Sequence, residues 1–170
     1  NKLLSLGYTD VRVFAGGLPA WKKAGLKTTA GAKKTDAEKA AVDPGSVEGI
    51  KQGIDEGTVD GEWFYGLMTD GKIPANVALI DVRSKDEFKA GYIKGAVNYQ
   101  ASKMSAKDFA AKLPKDKVSV LYCGSGARAM EAYFKLKDEN QDVSKVLYFD
   151  ANISCDADGK CKIEVNEPLG

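Results

Sequence analysis

Short apolar runs that alternate with helical patterns constrain the fold of this chain more than any other feature. Residues 77–82 and 118–122 are nearly continuous apolar segments, as in strands buried on both faces of a parallel sheet, and residues 145–149 form another such run. Residues 105–113 begin with a serine cap and end before a proline, and apolar side chains recur at helical spacing over residues 126–140. Strands that alternate with helices predict an open, mostly parallel α/β sheet flanked by helices, whose ligand sites lie beyond the carboxyl ends of the strands.

Other segments predict shorter or less regular elements. Residues 85–90 predict a helical turn and residues 96–99 a short strand. Further upstream, apolar residues at positions i, i+3 and i+7 predict a helix over residues 46–55, with Ser46 as its N-terminal cap. The glycine-rich stretch 57–76 predicts irregular structure.

A linker pattern divides the chain. Residues 30–43 are small and charged, with almost no bulky apolar side chains, and Pro44 and Gly45 follow them. The 170 residues exceed the usual length of one domain by about 20, and residues 1–29 are too few for a core of their own. We therefore expect one complete domain over residues 44–170 and a separate short piece upstream of the linker.

The composition excludes several kinds of chemistry and partner. The sequence has no histidine, which removes the commonest general base and the commonest transition-metal ligand and so excludes Ser-His-Asp and Cys-His catalysis. The 25 basic residues nearly balance the 24 acidic ones, which is too even for general binding to nucleic acid. No apolar stretch approaches the roughly 18 residues of a transmembrane helix. We therefore expect no resident metal or cofactor, no nucleic-acid partner and no membrane insertion.

Cys123 directly follows the predicted strand at residues 118–122, at the edge where ligand sites lie. Backbone N–H groups of a tight loop and of a helix N-terminus attract anions and favour a thiolate, and glycines allow such a loop to curl around the sulfur. Arg128, at the predicted helix start, adds a planar cation that suits an oxyanion. The pattern predicts a nucleophilic Cys123, and the alternative is a buried structural cysteine. The residues expected to bind the substrate are Gly124, Ser125, Gly126, Ala127 and Arg128.

Several segments together resemble the rhodanese family. They are Leu79-Ile-Asp-Val-Arg83, Glu87-Phe88, residues 91–98 and the loop from Cys123 to Arg128, within a stretch of about residues 77–149. The resemblance implies a rhodanese-like fold and a sulfurtransferase of the thiosulfate type that needs no cofactor. In such an enzyme the cysteine takes sulfane sulfur from a donor such as thiosulfate or polysulfide, holds it as a persulfide and passes it on. The implied partners are a small sulfur-containing anion and a thiol or protein acceptor.

The resemblance also implies roles for two residues outside the loop. By family position, Asp81 braces the loop and Arg83 points toward the substrate entrance. For Arg83 the residues alone leave an alternative open, a surface ion pair with Asp86 or Glu87. The chain departs from the family at Gly124, where a basic residue often follows the cysteine, so the loop has one positive charge fewer.

The length of the loop separates activities that occur on similar folds. Phosphatases similar to this family have five residues between cysteine and arginine, whereas sulfurtransferases have four, and four lie between Cys123 and Arg128. A cysteine-dependent phosphatase or an arsenate reductase is therefore a lesser alternative. Another alternative is a rhodanese-like module without turnover that binds a partner or senses sulfur.

The upstream piece resembles part of a second domain. Rhodanese domains usually finish with a strand, two glycines and a tryptophan, a pattern that here lies at residues 11–21. Residues 1–29 therefore resemble the C-terminal half of an upstream rhodanese-like domain, as in a trimmed tandem protein, and the start at Asn1 fits a processed chain. The alternative is a strand–helix piece that docks on this domain or on a neighbouring copy, which leaves a homodimer open.

Two alternating runs around a turn predict a C-terminal β-hairpin over residues 152–165. A three-residue loop, 157–159, with Gly159 in the left-handed conformation, would place Cys155 opposite Cys161 within disulfide range. A disulfide there predicts an oxidising compartment, so that the protein would be periplasmic or secreted. The alternative is a pair of reduced surface thiols in a cytoplasmic protein.

Overall fold

The structure is a computed structural model that describes residues 45–168, so the predictions for residues 1–29 and 30–43 lie outside the described residues. In chain order its elements are β1 (Ser46–Val47), β2 (Ile50–Lys51), α1 (Gly61–Thr69), β3 (Val77–Asp81), α2 (Lys85–Ala90), β4 (Val97–Asn98), a 3-10 turn (Ala101–Lys103), α3 (Ala106–Lys112), β5 (Val118–Tyr122), α4 (Ala127–Asp138), β6 (Val146–Tyr148), β7 (Ala151–Cys155) and β8 (Cys161–Val165). Within this part of the chain, no helix has the length and hydrophobicity needed to cross a bilayer.

The central sheet is parallel and has four strands in the order β4–β3–β5–β6. Strands β3 and β5 pair along their whole length, from Val77 opposite Val118 to Asp81 opposite Tyr122. All side chains of β5 are buried, as its apolar sequence predicts for a strand covered on both faces. The predicted mostly parallel α/β sheet is confirmed, and the carboxyl ends of β3 and β5 meet at one edge of it.

Alternate side chains of the sheet enter two separate cores. On one face, Leu121 belongs to a buried cluster with Phe109 of α3 and Leu136 of α4. On the other face, Val120 belongs to a cluster with Phe64 of α1 and with residues of the C-terminal hairpin. Each fully buried side chain of this size stabilises the fold by about 1.5–3 kcal/mol. The sheet is therefore held from both faces, which fixes the position of the edge where β3 and β5 end.

The helices predicted over residues 85–90, 105–113 and 126–140 lie close to where they were expected. Helix α2 has the predicted bounds, and α3 begins after Ser105, whose hydroxyl accepts a hydrogen bond from the N–H of Asp108 at 3.1 Å. Helix α4 begins at Ala127 and ends at Asp138, slightly before the predicted end. The predicted short strands at residues 96–99 and 145–149 are confirmed as β4 and β6, each shorter than expected.

The helix predicted over residues 46–55 is wrong, because this segment forms the β1–β2 hairpin. Val47 pairs with Ile50, and the two residues between them, Glu48 and Gly49, have φ angles of 48° and 83°. Positive φ at both central residues is typical of the type I′ turn of tight hairpins and is excluded from right-handed helices. The spacing of Val47 and Ile50 that suggested a helix face instead brings the two residues together across a turn.

The prediction of irregular structure over residues 57–76 is also wrong, because α1 lies within it. Asp60 caps this helix, since its carboxylate accepts a hydrogen bond from the N–H of Trp63 at 3.0 Å. Gly61 is present for close packing, because a Cβ at this position would overlap Cγ1 of Val165 in β8. The glycine that suggested a loop therefore marks the place where a helix approaches a strand.

Candidate active site

Cys123 lies at the carboxyl edge of the sheet, immediately after β5. Its side chain is fully buried, and it is a free thiol. The chain then turns through Gly124, Ser125 and Gly126 and enters α4 at Ala127. The predicted order of strand, glycine-containing loop and helix start is therefore present around this cysteine.

The first backbone amides of α4, next to the cysteine loop, have no side-chain cap. Gly126 occupies the cap position and offers no side chain to the first amides of the helix. Within residues 45–168, no hydrogen-bond acceptor is found for the backbone N–H groups of residues 124–128. Free amides at a helix N-terminus carry partial positive charge and bind anions. The loop can therefore hold an anionic group beside Cys123 with backbone donors alone.

The conformation of Gly126 shapes this loop. Its φ angle is 83°, and a Cβ at this position would overlap Oδ1 of Asp150. A residue with a side chain would therefore meet both backbone strain and a steric clash. This glycine is required by the local geometry, which explains its place directly before the helix.

The C-terminal hairpin holds the loop from the other side. The N–H of Ile153 donates to the carbonyl oxygen of Gly124 at 2.9 Å. Asn166 donates from Nδ2 to the carbonyl oxygen of Ser125 at 3.2 Å and to Oδ1 of Asp150 at 2.6 Å. The segment that follows the cysteine is thus fixed by backbone and amide hydrogen bonds from residues on both sides of the hairpin.

Arg128 forms a two-pronged ion pair with Glu87. Its Nη1 lies 2.9 Å from Oε2 of Glu87 and its Nη2 lies 2.8 Å from Oε1, and both side chains are about 40% exposed. Glu87 is itself fixed, because it forms the capping box of α2 with Ser84. The guanidinium also lies near the loop, since a Cβ built at Gly124 would be 3.7 Å from Nη2 of Arg128.

The ion pair changes the titration of both partners. Hydrogen bonds from Arg128, followed by those from Ser84, lower the pKa of Glu87 to about 2. The carboxylate of Glu87 in turn raises the pKa of Arg128 above its usual value, and the neighbouring Cys123 adds to this effect. Glu87 and Arg128 are therefore both charged over the whole physiological pH range, and their charges cancel.

Arg83 forms an ion pair with Asp81, and the place at the substrate entrance that the family position implies stays a prediction. The Arg83 side chain is buried, and its Nε and Nη2 donate to the carboxylate of Asp81 at 3.0 and 2.6 Å. Its pair is therefore with Asp81 in place of Asp86 or Glu87, because a buried guanidinium requires a buried carboxylate. This hydrogen bonding raises the pKa of Arg83 above its usual value.

The Asp81 side chain binds Arg83, and the bracing of the cysteine loop that the family position implies stays a prediction. Besides its ion pair, Asp81 accepts a hydrogen bond from the backbone N–H of Arg83 at 2.9 Å. Nη2 of Arg83 donates onward to the carbonyl oxygen of Gly91 at 2.7 Å. Gly91 in turn packs against the backbone of Cys155, where a Cβ would overlap the carbonyl oxygen. Asp81 thus acts on the site through Arg83 and the hairpin.

The predicted hairpin is confirmed as β7–β8, and its register places Cys155 opposite Cys161. Their Cα atoms are 4.0 Å apart and their Sγ atoms lie at bonding distance. The turn has the predicted form, because the N–H of Asp156 donates to the carbonyl oxygen of Lys160 at 3.0 Å and Gly159 has a φ angle of 79°. The cysteine pair lies at the tip of the hairpin, and Ile153, which contacts the cysteine loop, lies toward its base.

Three residues that contact the loop or its arginine, Glu87, Asp150 and Asn166, were not predicted as site residues. Glu87 carries a readable signal as the last residue of a Ser-x-x-Glu capping box, but its partner Arg128 lies 41 residues further along the chain. Asp150 and Asn166 carry no local signal at all. Their contacts with the loop depend on where the hairpin packs, which short-range sequence patterns do not predict.

The comparison with protein families agrees with this architecture. The family model of the rhodanese-like domain matches residues 60–151, from the cap of α1 to the start of β7. The chain belongs to the rhodanese-like family. The predicted family resemblance is thereby confirmed.

Two curated proteins are similar to the matched region. The probable adenylyltransferase/sulfurtransferase MoeZ of Mycobacterium tuberculosis is 41% identical over 98 residues, which cover 46% of this chain and 25% of MoeZ. A probable molybdopterin-synthase adenylyltransferase of Porphyra purpurea is 31% identical over 68 residues, which cover 40% of this chain and 18% of that protein. The chain thus spans a quarter or less of the length of these relatives.

Solved structures with a partial likeness include rhodanese-like proteins. The human single-domain sulfurtransferase TSTD1 is 25% identical with a TM-score of 0.37, over 55% of this chain and 88% of that one. The rhodanese-like domain of an Anabaena protein is 17% identical with a TM-score of 0.42, over 54% of this chain and 66% of that one.

Proposed function

We propose that this chain is a sulfurtransferase that carries sulfane sulfur as a persulfide on Cys123. The observation that carries the proposal is the position of this free thiol between the end of β5 and the open N-terminus of α4. Membership of the rhodanese-like family and the spacing of four residues before Arg128 support it.

The reaction has two half-reactions. In the first, the Cys123 thiolate attacks the outer sulfur of the donor, and a new sulfur–sulfur bond forms. With thiosulfate, the donor sulfur–sulfur bond breaks and sulfite leaves with the bonding electron pair. With a persulfide R–S–SH, the thiolate R–S⁻ leaves and the proton stays on the transferred sulfur. In the second, an acceptor thiolate attacks that outer sulfur and Cys123 leaves as a thiolate, so no external oxidant, reductant or cofactor is needed.

The residues of the loop have distinct parts in this scheme. The free amides of residues 124–128 would bind the negative charge of the donor and of the bound persulfide. Gly124 and Gly126 leave room and backbone freedom for these amides to turn toward the sulfur. Small sulfur-containing anions are the proposed donors, and a small thiol or a cysteine of another protein is the proposed acceptor.

Intact mass spectrometry tests the proposal. The protein is incubated with thiosulfate and, separately, with inorganic polysulfide, and its mass is measured before and after addition of a thiol acceptor. We expect a gain of one sulfur atom that the acceptor removes, with no gain in Cys123→Ser. Absence of the adduct with both donors would favour a rhodanese-like module that binds a partner without turnover.

The phosphatase and arsenate reductase alternatives have weaker support. The loop has four residues between Cys123 and Arg128, one fewer than the phosphatases with a similar fold, and the chain has no histidine. We expect no hydrolysis of an aryl phosphate above the rate of Cys123→Ser. Hydrolysis at an ordinary enzymatic rate that depends on Cys123 would assign the loop to phosphoryl chemistry.

The proposal also covers the redox state of the two hairpin cysteines and the cellular compartment of the protein. We propose that Cys155 and Cys161 form a structural disulfide, which their facing register in the hairpin supports. Stable disulfides are typical of oxidising compartments, so a periplasmic or secreted location follows from this part of the proposal. Cys123 then remains as the free thiol that carries sulfur.

A further inference from the structure

The positive charge of Arg128 beside the cysteine loop is balanced by a carboxylate, and this balance affects which sulfur donors the loop can bind. Arg128 is the one basic residue of the loop from Cys123 to Arg128. Both of its terminal nitrogens donate to Glu87. Its positive charge is therefore already matched by a carboxylate before any substrate arrives.

Glu87 is held in place independently of Arg128. Its Oε2 accepts from the N–H of Ser84 at 3.1 Å and from the Ser84 hydroxyl at 2.8 Å, as part of the capping box of α2. The carboxylate therefore cannot follow the guanidinium into the loop without losing the cap. An anionic donor that binds Arg128 must therefore break the ion pair between Arg128 and Glu87.

A second carboxylate lies on the other side of the loop. Asp150 stands so close to Gly126 that its Oδ1 occupies the space a Cβ would need. Its amide partner Asn166 carries no charge. Counted with their usual charges, Arg128, Glu87 and Asp150 sum to one negative charge, and the amides of the helix N-terminus add a partial positive charge beside Cys123.

We infer that Glu87 determines the class of donor at this site: by neutralising Arg128 it favours persulfide donors that carry at most one negative charge over dianionic thiosulfate. The inference rests on the proposed function. Both donors give the same bond at Cys123, with sulfite or a thiolate as the leaving group. They differ in charge, and the repulsion by the surrounding carboxylates scales with the charge of the donor. Glu87 is thus a positioning residue that acts through Arg128.

The test compares two donors on several variants. kcat/KM is measured with thiosulfate and with the persulfide of 2-mercaptoethanol, whose only ionisable group is the persulfide itself. In Glu87→Gln we expect the ratio of thiosulfate to persulfide kcat/KM to rise about 5-fold, mainly through a lower KM for thiosulfate, because half-exposed charges interact by up to about 1 kcal/mol.

Two control variants distinguish the effect of the Glu87 charge from the effects of another lost charge and of a weakened helix cap. Asp86→Asn removes the same charge from an exposed neighbour in the same helical turn, and Ser84→Ala removes the hydroxyl of the capping box while it leaves Glu87 charged. We expect both controls to change the donor ratio by less than about 2-fold. Asp86 does not contact Arg128, so solvent and salt screen its charge. Ser84→Ala keeps the backbone N–H that binds Oε2 of Glu87, and it keeps the charged pair of Glu87 with Arg128. An equal rise in either control would overturn the inference.

A measurement on the wild type keeps the inference testable if Glu87→Gln does not fold. Salt screens attraction and repulsion alike. The wild-type kcat/KM for thiosulfate should therefore stay constant or rise as sodium chloride is added. A steep fall would show that the site attracts dianions and would overturn the inference.

The outcomes also separate this inference from the proposed function. Sulfur transfer from both donors with a donor ratio that Glu87→Gln leaves unchanged overturns the role of Glu87 alone. Failure of the wild type to take sulfur from either donor overturns the proposed function, and the inference with it.

Discussion

Gly126 fixes the backbone of the cysteine loop through a conformation that side chains disfavour. Gly95 is a matched control, because it has a similar φ angle of 87° but open space where a Cβ would lie. We expect Gly95→Ala to lower the free energy of unfolding by about 1–2 kcal/mol through the positive φ alone. Gly126→Ala should cost about 1–3 kcal/mol more, because the methyl group overlaps Asp150. Urea unfolding measures both, and equal losses would show that the loop relaxes around the added methyl group.

Arg128 is half exposed and forms an ion pair with Glu87, and we expect it to assist sulfur transfer. Arg128→Ala removes a cation and leaves the carboxylate of Glu87 uncompensated beside the loop. We expect sulfur uptake from thiosulfate to slow by about 10-fold, the lower end of what a charge-assisted hydrogen bond contributes. Arg128→Lys keeps the charge without the two-pronged geometry and should recover part of the rate. A single-turnover rate measured by mass spectrometry checks both variants, and an unchanged rate in Arg128→Ala would exclude this residue from the reaction.

Glu87 contributes to stability in a defined range of pH. Its pKa falls on folding from the usual value of 4.5 to about 2, chiefly through hydrogen bonds from Arg128. A carboxyl group of this kind stabilises the folded state above its usual pKa and loses that contribution as the pH falls toward the folded value. The difference in unfolding free energy between wild type and Glu87→Gln should therefore be full above pH 4.5 and shrink as the pH falls to about 2. Urea unfolding across this range checks it, and a difference that grows in acid would contradict the assignment.

At the scale of elements, the hairpin β7–β8 has the proposed disulfide at its tip and contacts the cysteine loop near its base. A disulfide between Cys155 and Cys161 closes a loop of seven residues and constrains the unfolded chain by about 2.4 kcal/mol in the entropic model. We expect the double serine variant to exchange amide hydrogens faster over residues 154–163. The amide of Ile153, which donates to Gly124, should stay protected because it belongs to the base of the hairpin. Loss of protection at Ile153 as well would show that the tip holds the loop.

Peptide mapping without reductant distinguishes this structural bond from a resolving role. In a resolving role, Cys155 or Cys161 attacks the persulfide on Cys123, forms a new disulfide and releases sulfide. We expect a link between Cys155 and Cys161 in the resting protein that turnover does not change. A link from Cys123 to either residue after turnover would contradict the structural role.

Elements with local signals were predictable from sequence, and elements defined by packing were not. The capping box at Ser84 and the serine cap at Ser105 mark where α2 and α3 begin. Each capping residue lies within one turn of the helix that it caps, so the sequence signal is local. In contrast, Gly61 suggests a loop until its approach to Val165 is known. The hairpin after Ser46 was missed because a spacing of three residues suits both a helix face and a two-residue turn.

The site likewise contains some features that follow from local sequence and others that depend on packing. The loop from Cys123 to Arg128 is contiguous, so its arrangement follows from local sequence. The partners of Arg83 and Arg128 depend on packing instead, although Asp81 lies only two residues from Arg83. Arg83 pairs with Asp81 because both are buried beside the end of β3, and Arg128 pairs with Glu87 because α2 and α4 begin at the same edge of the sheet. Only the packed sheet decides which carboxylate each guanidinium meets.

At the scale of the whole molecule, the two edges of the sheet differ. The outer edge of β6 is occupied, because the N–H of Tyr148 donates to the carbonyl oxygen of Gly57 at 2.8 Å and its carbonyl oxygen accepts from the N–H of Val59 at 3.0 Å. Strand β4 forms the other edge and has two residues, of which Val97 is exposed. A strand added to this sheet would therefore have to pair with β4.

This asymmetry allows a test of how the first part of the chain relates to the rest. Residues Val42–Gly170 form a compact unit, and the two described cores lie within it on the two faces of the sheet. We expect a chain shortened to residues 42–170 to unfold at the same urea concentration and with the same slope as the full chain. The slope follows the surface exposed on unfolding, and the midpoint is the free energy of unfolding divided by that slope. The parallel register points the N–H of Val97 toward β3 and leaves the N–H of Asn98 on the free edge of β4. Hydrogen exchange at Asn98 should therefore be equal in the two proteins. For the shortened chain, a lower midpoint with faster exchange at Asn98 would instead support a docked strand from residues 1–29, because only pairing with β4 would protect that amide.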